Sequence, residues 1–390
     1  MTTFHGIQVN EPVTGIRPIL EKSTAVIGLV ATATAAVGAA ADALNAAFPL
    51  DRPVLVTDVV AAIGVAGTGG TLRLALGAIA DQGSPLVIVV RVAAGADAEA
   101  TTENVIGGTT GGVYTGLQSL LVAEARTGVR PRIIGIPGFD TQEVVNAAIV
   151  VAQKLRGFVY AACRPDGIIA VDRDEAVTYR GEFGQRELML IWPDMTGWDG
   201  HAVAAALGVR AMLDESVGWH RSISNVVVNG VAGMTKDVGF DIRDASTDAG
   251  VLNAAQVTTI VRRGGYRFWG NRGTSEEAFF AFEPATRSAQ AIQDAIADAE
   301  AQFIDHPMTV GTVRDVVETA NMRLATWQAQ GRIIGGRCWY DPALNPIQNL
   351  SAGQLAIDYD FTPVAPLEGL TLNQRITGKY YLTFGAQLNG

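Results

Sequence analysis

The sequence predicts an α/β domain with a largely parallel sheet, followed by a separate α+β domain, with extended segments at both ends. Over the first 260 residues, short apolar runs alternate with helical patterns, which is typical of parallel strands covered by helices. Beyond residue 260, two helical patterns precede strand patterns without that alternation. We therefore predict four parts: an N-terminal arm at 1–22, an α/β domain at 23–260, an α+β domain at 261–374 and a C-terminal arm at 375–390.

Apolar runs and helical spacing locate the elements of the first domain. Uncharged apolar runs predict buried strands, and apolar residues three and four positions apart predict helices, as for Leu72, Leu76 and Ile79. The segment 94–116 is rich in Gly, Ala and Thr, which predicts a long exposed loop. The predicted strands are 25–30, 53–56, 86–92, 132–136, 157–162 and 188–192, and the predicted helices are 72–80, 117–125, 141–156 and 202–214.

Two amphipathic helices and two strands are predicted after residue 260. Pro284 opens the first helix, and a capping box from Thr312 to Asp315 marks the start of the second. Near the C-terminus, apolar residues alternate with polar ones, as expected of strands with one buried face. The predicted elements are helices 284–303 and 309–330 and strands 355–361 and 375–382.

The two ends of the chain are predicted to be extended. Ile7 and Val9 alternate around Gln8, and Pro12 and Pro18 interrupt any helix, so the N-terminal arm cannot form a core alone. The C-terminal arm is strand-forming and has no obvious partner within the chain. Unpaired strands of this kind tend to pair with another chain.

Composition limits the classes of function. With 48% hydrophobic and 17% charged residues, the 390-residue chain is globular and long enough for two or three packed domains. A net charge of −10 argues against a nucleic-acid grip that rests on a basic surface. The uncharged segment 23–41 is only weakly hydrophobic, so we predict a soluble strand and an Ala-rich loop, with a signal peptide as the minor alternative.

A glycine-rich stretch, "GVAGTGGTLRLAL" from Gly64, raises the question of nucleotide binding. A phosphate-binding loop of the Walker type needs a lysine after its last glycine, and here Gly70 is followed by Thr71. A dinucleotide fingerprint needs a third glycine where Leu72 stands. The pattern favours a turn ahead of a helix. The alternative function that it leaves open is a cytoplasmic α/β enzyme with a nucleotide cofactor at this loop and a C-terminal oligomerisation domain.

Other candidate sites are incomplete. His220 and Ser222 are close in sequence, but closeness in sequence does not make a hydrogen-bonded pair, and a structural histidine is favoured. Asp358 and Asp360 share a strand face and could bind a metal, yet no further ligand is spaced to join them. Arginines and aromatic residues alternate over 262–272, as in single-strand nucleic-acid binders, but this is also the pattern of a half-buried strand.

Seven phrases spread along the chain belong together. They are "FHGIQV" from Phe4, "FPLDRPVLVT" from Phe48, "GVRPRIIGIPGFDTQEV" from Gly128, "QRELMLIWPD" from Gln185, "GWHRSISNVVVNGVAG" from Gly218, "YRFWGNR" from Tyr266 and "IDYDFTPVAPLEGLTLNQRITGKY" from Ile357. They resemble phrases of one family, the tail sheath proteins of contractile-tailed phages, and above all the short sheaths of temperate coliphage type and of R-type pyocins. The likeness covers nearly the whole chain and departs mainly at 33–47, 94–112 and 195–203.

The resemblance implies a structural motor rather than an enzyme. Sheath subunits of this family stack helically around an inner tube in a metastable stretched state and then contract to drive the tube through a bacterial envelope. The implied partners are neighbouring sheath subunits, the inner tail tube protein, and baseplate and tail-terminator proteins. No cofactor, metal, nucleic acid or stable membrane insertion is implied. The implied location is a virion tail or bacteriocin particle, assembled in the cytoplasm of the bacterial host.

The resemblance also implies roles for particular residues. The arms join neighbouring subunits by strand addition, and the C-terminal domain lies inward, against the tube, with the α/β domain outward. We expect Arg314, Glu318 and Arg323, on the polar face of the helix 309–330, to meet the tube, because the apolar face is used for packing. The residues expected to join subunits are Ile7, Val9 and Ile16 in the N-terminal arm and Ile376, Lys379, Tyr380 and Tyr381 in the C-terminal arm.

Overall fold

A computed structural model describes residues 23–383 of the 390-residue chain. The predicted N-terminal arm, with Ile7, Val9 and Ile16, lies outside the described residues, as do residues 384–390. Within the described part, the predicted fold class is confirmed. An eight-stranded, mostly parallel sheet is followed by a smaller unit whose two strands are antiparallel.

Six parallel strands form the centre of the large sheet, and one antiparallel strand lies at each edge. The sheet strands are β1 (Ile27–Thr32), β2 (Val54–Val56), β3 (Val87–Val92), β6 (Ile133–Gly135), β7 (Phe158–Ala162), β8 (Leu188–Ile191), β9 (Val257–Arg262) and β10 (Tyr266–Trp269), with β4 (Thr109–Thr110) and β5 (Val113–Tyr114) in a separate hairpin. Their order is β10-β9-β8-β7-β6-β1-β3-β2. Because both faces of the central strands are covered, they appear in the sequence as continuous apolar runs.

Helices cover both faces of this sheet and enclose two apolar cores. The helices on one face are α1 (Ala39–Ala47), α2 (Val59–Val65), α3 (Leu72–Ala80) and α8 (His201–Ser216). Those on the other face are α4 (Ala98–Ile106), α5 (Ala123–Thr127), α6 (Gln142–Leu155), α7 (Arg173–Arg180) and α9 (Asp248–Ala254). In the described part of the chain, no helix is both long and apolar enough to cross a membrane.

Three stretches predicted as loop or helix differ from the structure. The predicted loop 94–116 contains the helix α4, which Asp97 caps by accepting from the Ala100 N–H, and whose Val105 is fully buried. In the segment 23–41 the predicted strand is confirmed as β1, but the Ala-rich part ends in the start of α1 rather than in a loop. The predicted helix 117–125 is a 3₁₀ helix followed by α5. In the first two stretches, small residues obscured the helical period, because Ala and Thr contrast weakly in hydropathy.

The second unit packs two long helices on a two-stranded sheet. Its elements are α10 (Glu283–Glu300), α11 (Val310–Ala329), β11 (Ile333–Trp339), the short α12 (Ile347–Ser351) and β12 (Asp358–Pro363). A third apolar core lies between them and includes Ile292, Leu324 and Trp327. The predicted capping box is wrong: Thr309 caps α11 by accepting from the Thr312 N–H, so Thr312 lies inside the first turn.

The large sheet continues past the predicted boundary at residue 260. That boundary cuts through β9, and β10 pairs with β9 in an antiparallel hairpin at the edge of the sheet. The change of pattern after residue 260 reflects this hairpin, because two consecutive strands break the alternation of strand and helix. At the opposite edge, β2 is antiparallel to β3, so strand, helix and strand there do not form a parallel crossover.

The predicted strand 375–382 is absent from the described subunit. Residues 371–378 have no regular secondary structure, and a 3₁₀ helix runs from Lys379 to Thr383. A strand needs a hydrogen-bonded neighbour, and this segment has none among the described residues.

Candidate assembly surfaces

The glycine-rich loop is occupied by its own chain. The N–H groups of Thr68 and Gly69 donate to the carbonyl of Thr34, and the N–H of Thr71 donates to the carbonyl of Thr32. A phosphate-binding loop needs such amides free to point at the ligand. Gly70 has φ +81°, and a side chain there would clash with the Thr32 carbonyl. The prediction of a turn ahead of the helix 72–80 is confirmed, with identical bounds for α3.

At the carboxyl ends of the parallel strands, where open α/β sheets bind ligands, the part between β6 and the loop before α8 is closed by backbone. Gly138, which follows β6, lies so close to the loop before α8 that a Cβ on it would be 2.7 Å from the Asp199 carbonyl and 3.4 Å from the Thr71 methyl. Gly200 packs equally closely against Pro137. The crevice beside β1 is therefore filled by the chain itself.

Buried acids at this edge serve the fold. Asp140 is fully buried and accepts from the Arg164 guanidinium at 3.1 Å and from the Ala162 N–H at 2.5 Å. Asp194 accepts from three backbone N–H groups, two of them at the start of α8. Burial raises the pKa of both carboxyl groups, and these hydrogen bonds oppose that rise. Both carboxylates are buried and their hydrogen bonds hold neighbouring segments of the fold.

The residues of the other enzyme-like patterns do not come together as catalytic or binding sites in the described part of the chain. Ser222 Oγ accepts from the Ser224 N–H, while Nδ1 of His220 has no hydrogen-bond partner among the described residues, so the two do not form a catalytic pair. Burial, followed by nearby arginines, lowers the pKa of His220. Residues 23–383 hold no group of three metal-ligating side chains, so Asp358 and Asp360 gain no further ligand there. The arginine-rich stretch from Arg262 is the β9–β10 hairpin, with Phe268 buried.

The C-terminal arm lies exposed beside the subunit. Large apolar side chains project from it and from the residues just before it: Ile376 is 97% exposed, and Leu372, ahead of the arm, is 81% exposed. Lys379, Tyr380 and Tyr381 are exposed as well. Such a row of exposed apolar residues marks an interaction surface.

Glu368 fixes the chain ahead of the C-terminal arm. Its carboxylate makes two hydrogen bonds to the Arg272 guanidinium, at 2.8 and 2.7 Å, and Arg272 also stacks on Phe282. A forked pair of this kind fixes direction as well as position. The chain therefore leaves the subunit from a defined point beside β10.

The β11–β12 sheet has one blocked edge and one open edge. On the outer side of β11, the Asn321 side chain accepts from the Cys338 N–H at 2.8 Å and donates to the Cys338 carbonyl at 2.9 Å. Cys338 faces Tyr359 across the ladder. Residues opposite each other in an antiparallel pair point their backbone groups either toward each other or both away from the ladder between them. Those of Cys338 point away from β12, so those of its partner Tyr359 point away from β11, to the outer side of β12. No other described strand pairs with that edge.

The three residues expected on the tube-facing helix do not share one face. Arg314 and Glu318 are exposed and one turn apart. Arg323 is nine residues from Arg314, about two and a half turns, and so lies on the opposite side of α11. Its guanidinium is partly buried, 5.4 Å from the centre of the Trp327 ring. Arg323 therefore helps to cover the third core.

A buried ionic cluster joins the large sheet unit to α10. Its one local signal in the sequence is a pair of opposite charges spaced four apart on each of two helices. Arg210 and Asp214, from α8, and Glu283 and Arg287, from α10, are all nearly inaccessible to solvent. Arg210 bonds Asp214 at 2.7 Å and Glu283 at 3.1 Å, and Arg287 contacts Asp214. The four charges cancel, which removes the cost of an unpaired buried charge.

Glu300 is an uncompensated carboxyl at the end of α10. Both carboxylate oxygens are buried, and neither has a hydrogen-bond partner among the described residues. Burial raises the pKa of this group to about 7. The nearby thiol of Cys338, on β11, has its pKa raised to about 11, by burial first and then by Glu300 and Asp358.

Known proteins similar to this chain are sheath proteins. The family model for the phage tail sheath protein central domain matches residues 112–274, and the model for the phage tail sheath C-terminal domain matches residues 275–377. The chain is 45% identical to the tail sheath protein of Escherichia phage P2, over 99% of this chain and 98% of that protein. It is 44% identical to the major tail sheath protein of Serratia phage KSP20, with the same coverage.

Solved structures of low sequence identity share the fold. The sheath complex of an extracellular contractile injection system, PVC, in the contracted state is 15% identical and superposes with a TM-score of 0.68 over 97% of this chain and 99% of that one. The helical sheath of the anti-feeding prophage, also in the contracted state, is 16% identical with a TM-score of 0.67, over 97% of this chain and all of that one.

Proposed function

The chain belongs to the phage tail sheath family, and from that premise we propose how its surfaces build and drive a contractile tail. It is a structural subunit of a contractile sheath in a virion tail or phage-tail-like particle. The observation that carries this function is the 45% identity to a phage tail sheath protein over 99% of the chain. The alternative of an α/β enzyme with a nucleotide cofactor has no support from its relatives or from the occupied glycine-rich loop.

Subunits polymerise helically through their arms. The C-terminal arm, with Ile376, Lys379, Tyr380 and Tyr381, adds as a strand to a neighbouring subunit, and the N-terminal arm, with Ile7, Val9 and Ile16, does the same. Support comes from the exposure of the C-terminal arm and from the unpaired edge of β12. Heterologous contacts of this kind do not close on themselves, so they generate an open helix.

The smaller unit lies inward and meets the inner tail tube, and the large sheet unit lies outward. Arg314 and Glu318 form the tube-facing part of α11, because they are exposed on the side away from the third core. Charged contacts suit a grip that must release on contraction, since they give specificity with modest affinity. Baseplate and tail-terminator proteins cap the sheath, which assembles in the host cytoplasm without binding nucleic acid or inserting into a membrane.

The test of assembly is electron microscopy of the purified chain and of a variant that lacks residues 375–390. The full chain should form helical tubes, and the truncated chain should remain monomeric with an unchanged melting temperature. Polymers of normal appearance from the truncated chain would contradict the role of the C-terminal arm.

The tube contact is tested by Arg314→Glu, with Arg323→Glu as the matched charge change on the opposite side of α11. Arg314→Glu should reduce the yield of stretched sheath on tubes while tube-free sheath forms normally. Arg323→Glu should instead lower the melting temperature of the subunit, since it uncovers Trp327. Normal stretched particles from Arg314→Glu would overturn the assignment of this face.

A further inference from the structure

A short exposed tip, residues 229–232, lies between two anchored points of the large sheet unit. At its start, the Val228 N–H donates to the Tyr266 carbonyl, and at its end the Thr196 N–H donates to the Gly233 carbonyl. The sequence of the tip is "NGVA", and its asparagine and glycine are both exposed. The proposed assembly assigns no role to this pair.

The backbone at position 230 favours glycine on two grounds. Gly230 has φ +74°, in the left-handed region that most side chains disfavour. A Cβ on it would also lie 2.0 Å from Oδ2 of Asp81, so a larger residue would have to displace that side chain. The glycine that follows Asn229 is therefore required by the shape of this turn.

An asparagine followed by glycine can lose ammonia without an enzyme, because glycine has no Cβ to obstruct the attack. The backbone nitrogen of Gly230 forms a bond to Cγ of Asn229, the Cγ–Nδ2 bond breaks, and Nδ2 leaves as ammonia with the proton of the attacking N–H. Water then opens the cyclic imide. Opening at Cγ gives aspartate, whereas opening at the main-chain carbonyl gives isoaspartate, in which the chain runs through the former side chain.

Neither reacting group is engaged in the described part of the chain. The Gly230 N–H makes no hydrogen bond among residues 23–383, and neither does the side-chain amide of Asn229. Both groups lie at the exposed surface, where water for the second step is at hand. The nucleophile and the leaving group are therefore adjacent and unprotected by bonds of their own.

Gln82, which follows α3, instead holds the peptide unit that joins the two residues. Its Oε1 accepts from the Asn229 N–H at 3.0 Å, and its Nε2 donates to the Asn229 carbonyl at 2.8 Å. Within the described chain, the tip makes no other hydrogen bond. Because the Asn229 carbonyl and the Gly230 nitrogen belong to one planar peptide unit, these bonds fix the direction of the attacking nitrogen.

We propose that Asn229 is a site of spontaneous deamidation, and that the two hydrogen bonds from Gln82 control its rate. Ring closure requires the 229–230 peptide to turn toward the asparagine side chain, so the reaction waits for these bonds to open. The product places a new carboxylate next to the residue that contacts Asp81, and isoaspartate adds a methylene to the main chain. Both changes oppose return to the original arrangement, so conversion accumulates with the age of the subunit.

Peptide mapping by mass spectrometry of the purified full chain tests the site. During incubation at mildly alkaline pH, where the attacking amide loses its proton more readily, Asn229 should convert to aspartate and isoaspartate. Asn349, exposed on α12 but followed by Leu350, is the internal control and should stay unchanged. In the urea-unfolded chain, Asn229 should convert faster than in the folded chain. No conversion in either state, or equal rates in both, would contradict the proposal.

Gln82→Met tests the control of the rate, because it retains the length of the side chain and removes both hydrogen bonds. We expect conversion of Asn229 in the folded chain to become about tenfold faster. Leu324→Ala weakens the third core and leaves the tip untouched, so at a temperature well below both melting transitions it should not change the rate. An unchanged rate in Gln82→Met, or an equal rise in Leu324→Ala, would overturn the role of Gln82.

Discussion

The large sheet unit and the C-terminal arm differ in how far their charged and apolar side chains are exposed to solvent. In the sheet unit, apolar strands are covered on both faces and even four charges are buried, paired with one another between α8 and α10. In the arm, apolar side chains such as Ile376 are exposed and the cations face solvent. The first region stabilises the subunit, whereas the second is the arm that we propose binds another copy.

This difference fits the proposed function if subunits move as rigid bodies on contraction. The buried cluster ties α10, which begins the smaller unit, to the large sheet, and Arg287 also approaches the carbonyl of Thr24, where the described chain begins. Stability of the subunit and its proposed binding to neighbours therefore depend on different regions of the chain. Substitutions in the sheet unit should change the free energy of unfolding, whereas substitutions in the arm should change assembly alone. The predictions below run from the largest expected change in unfolding free energy to the smallest.

The largest effect is expected in the buried ionic cluster. Asp214→Asn leaves Arg210 and Arg287 with one carboxylate between them, so we expect unfolding free energy to fall by about 3–5 kcal/mol. Chemical denaturation of the subunit measures this loss. Asp241→Asn breaks the exposed pair with Arg243 and should leave the denaturation midpoint in place. An equal loss from both variants would contradict the structural role given to the cluster.

The next effect is expected in the glycine-rich loop. Gly70→Ala places a Cβ against the Thr32 carbonyl at positive φ, so we expect a loss of about 2–3 kcal/mol. Gly64→Ala is the matched control, since its Cβ would meet nothing within 4 Å and it lies in α2. Thermal unfolding should show a lower midpoint for the first variant only. A nucleotide that stabilised the wild-type chain but not Gly70→Ala would instead reopen cofactor binding.

A smaller, pH-dependent effect is expected at Glu300. Its pKa is raised in the folded state from 4.5 to about 7, so ionisation costs stability as the pH rises through that window. Glu300→Gln should therefore match the wild type at pH 4 and exceed it at pH 8 by about 1 kcal/mol, a value reduced for partial solvent screening. Denaturation curves at several pH values measure the difference. Glu318→Gln, at an exposed site on α11, should give a constant difference across the range.

No effect on unfolding is expected in the C-terminal arm. Ile376→Ser removes an apolar side chain that is 97% exposed in the subunit, so the melting temperature of the monomer should not change. Assembly should fail, because the same side chain would be buried against a neighbour. Leu324→Ala, in the third core, is the opposite case and should lower the melting temperature. A destabilised monomer from Ile376→Ser would mean that the arm contributes to the subunit's own fold.

Much of the fold was predictable from local pattern. The helix α3 has the predicted bounds, and the strands β3 and β7 begin one residue after their predicted starts, because continuous apolar runs and a 3.6-residue period are local signals. The helix α4 was missed because its Ala and Thr residues differ little in hydropathy, and the strand β11 was missed because of the two glycines at 335–336. The family likeness was predictable too, since it rests on the sequence itself.

The candidate surfaces depended on tertiary structure. The sequence pattern assigned Arg314 and Arg323 to the same polar face of α11. In the folded chain, Arg323 lies over the Trp327 ring and Arg314 is exposed. The Arg210–Glu283 contact joins residues 73 positions apart, and no local pattern could pair them.

Local pattern in the sequence was enough to establish the family, the fold class, the order of most elements and the alternating pattern of the C-terminal arm. Only the folded chain shows which charges are buried, that Asn321 blocks the edge of β11 and that no described strand pairs with the outer edge of β12. The two kinds of feature differ in the distance along the chain over which they arise. Periodicity is imposed by the backbone over a few residues, whereas burial and edge pairing depend on which distant elements meet.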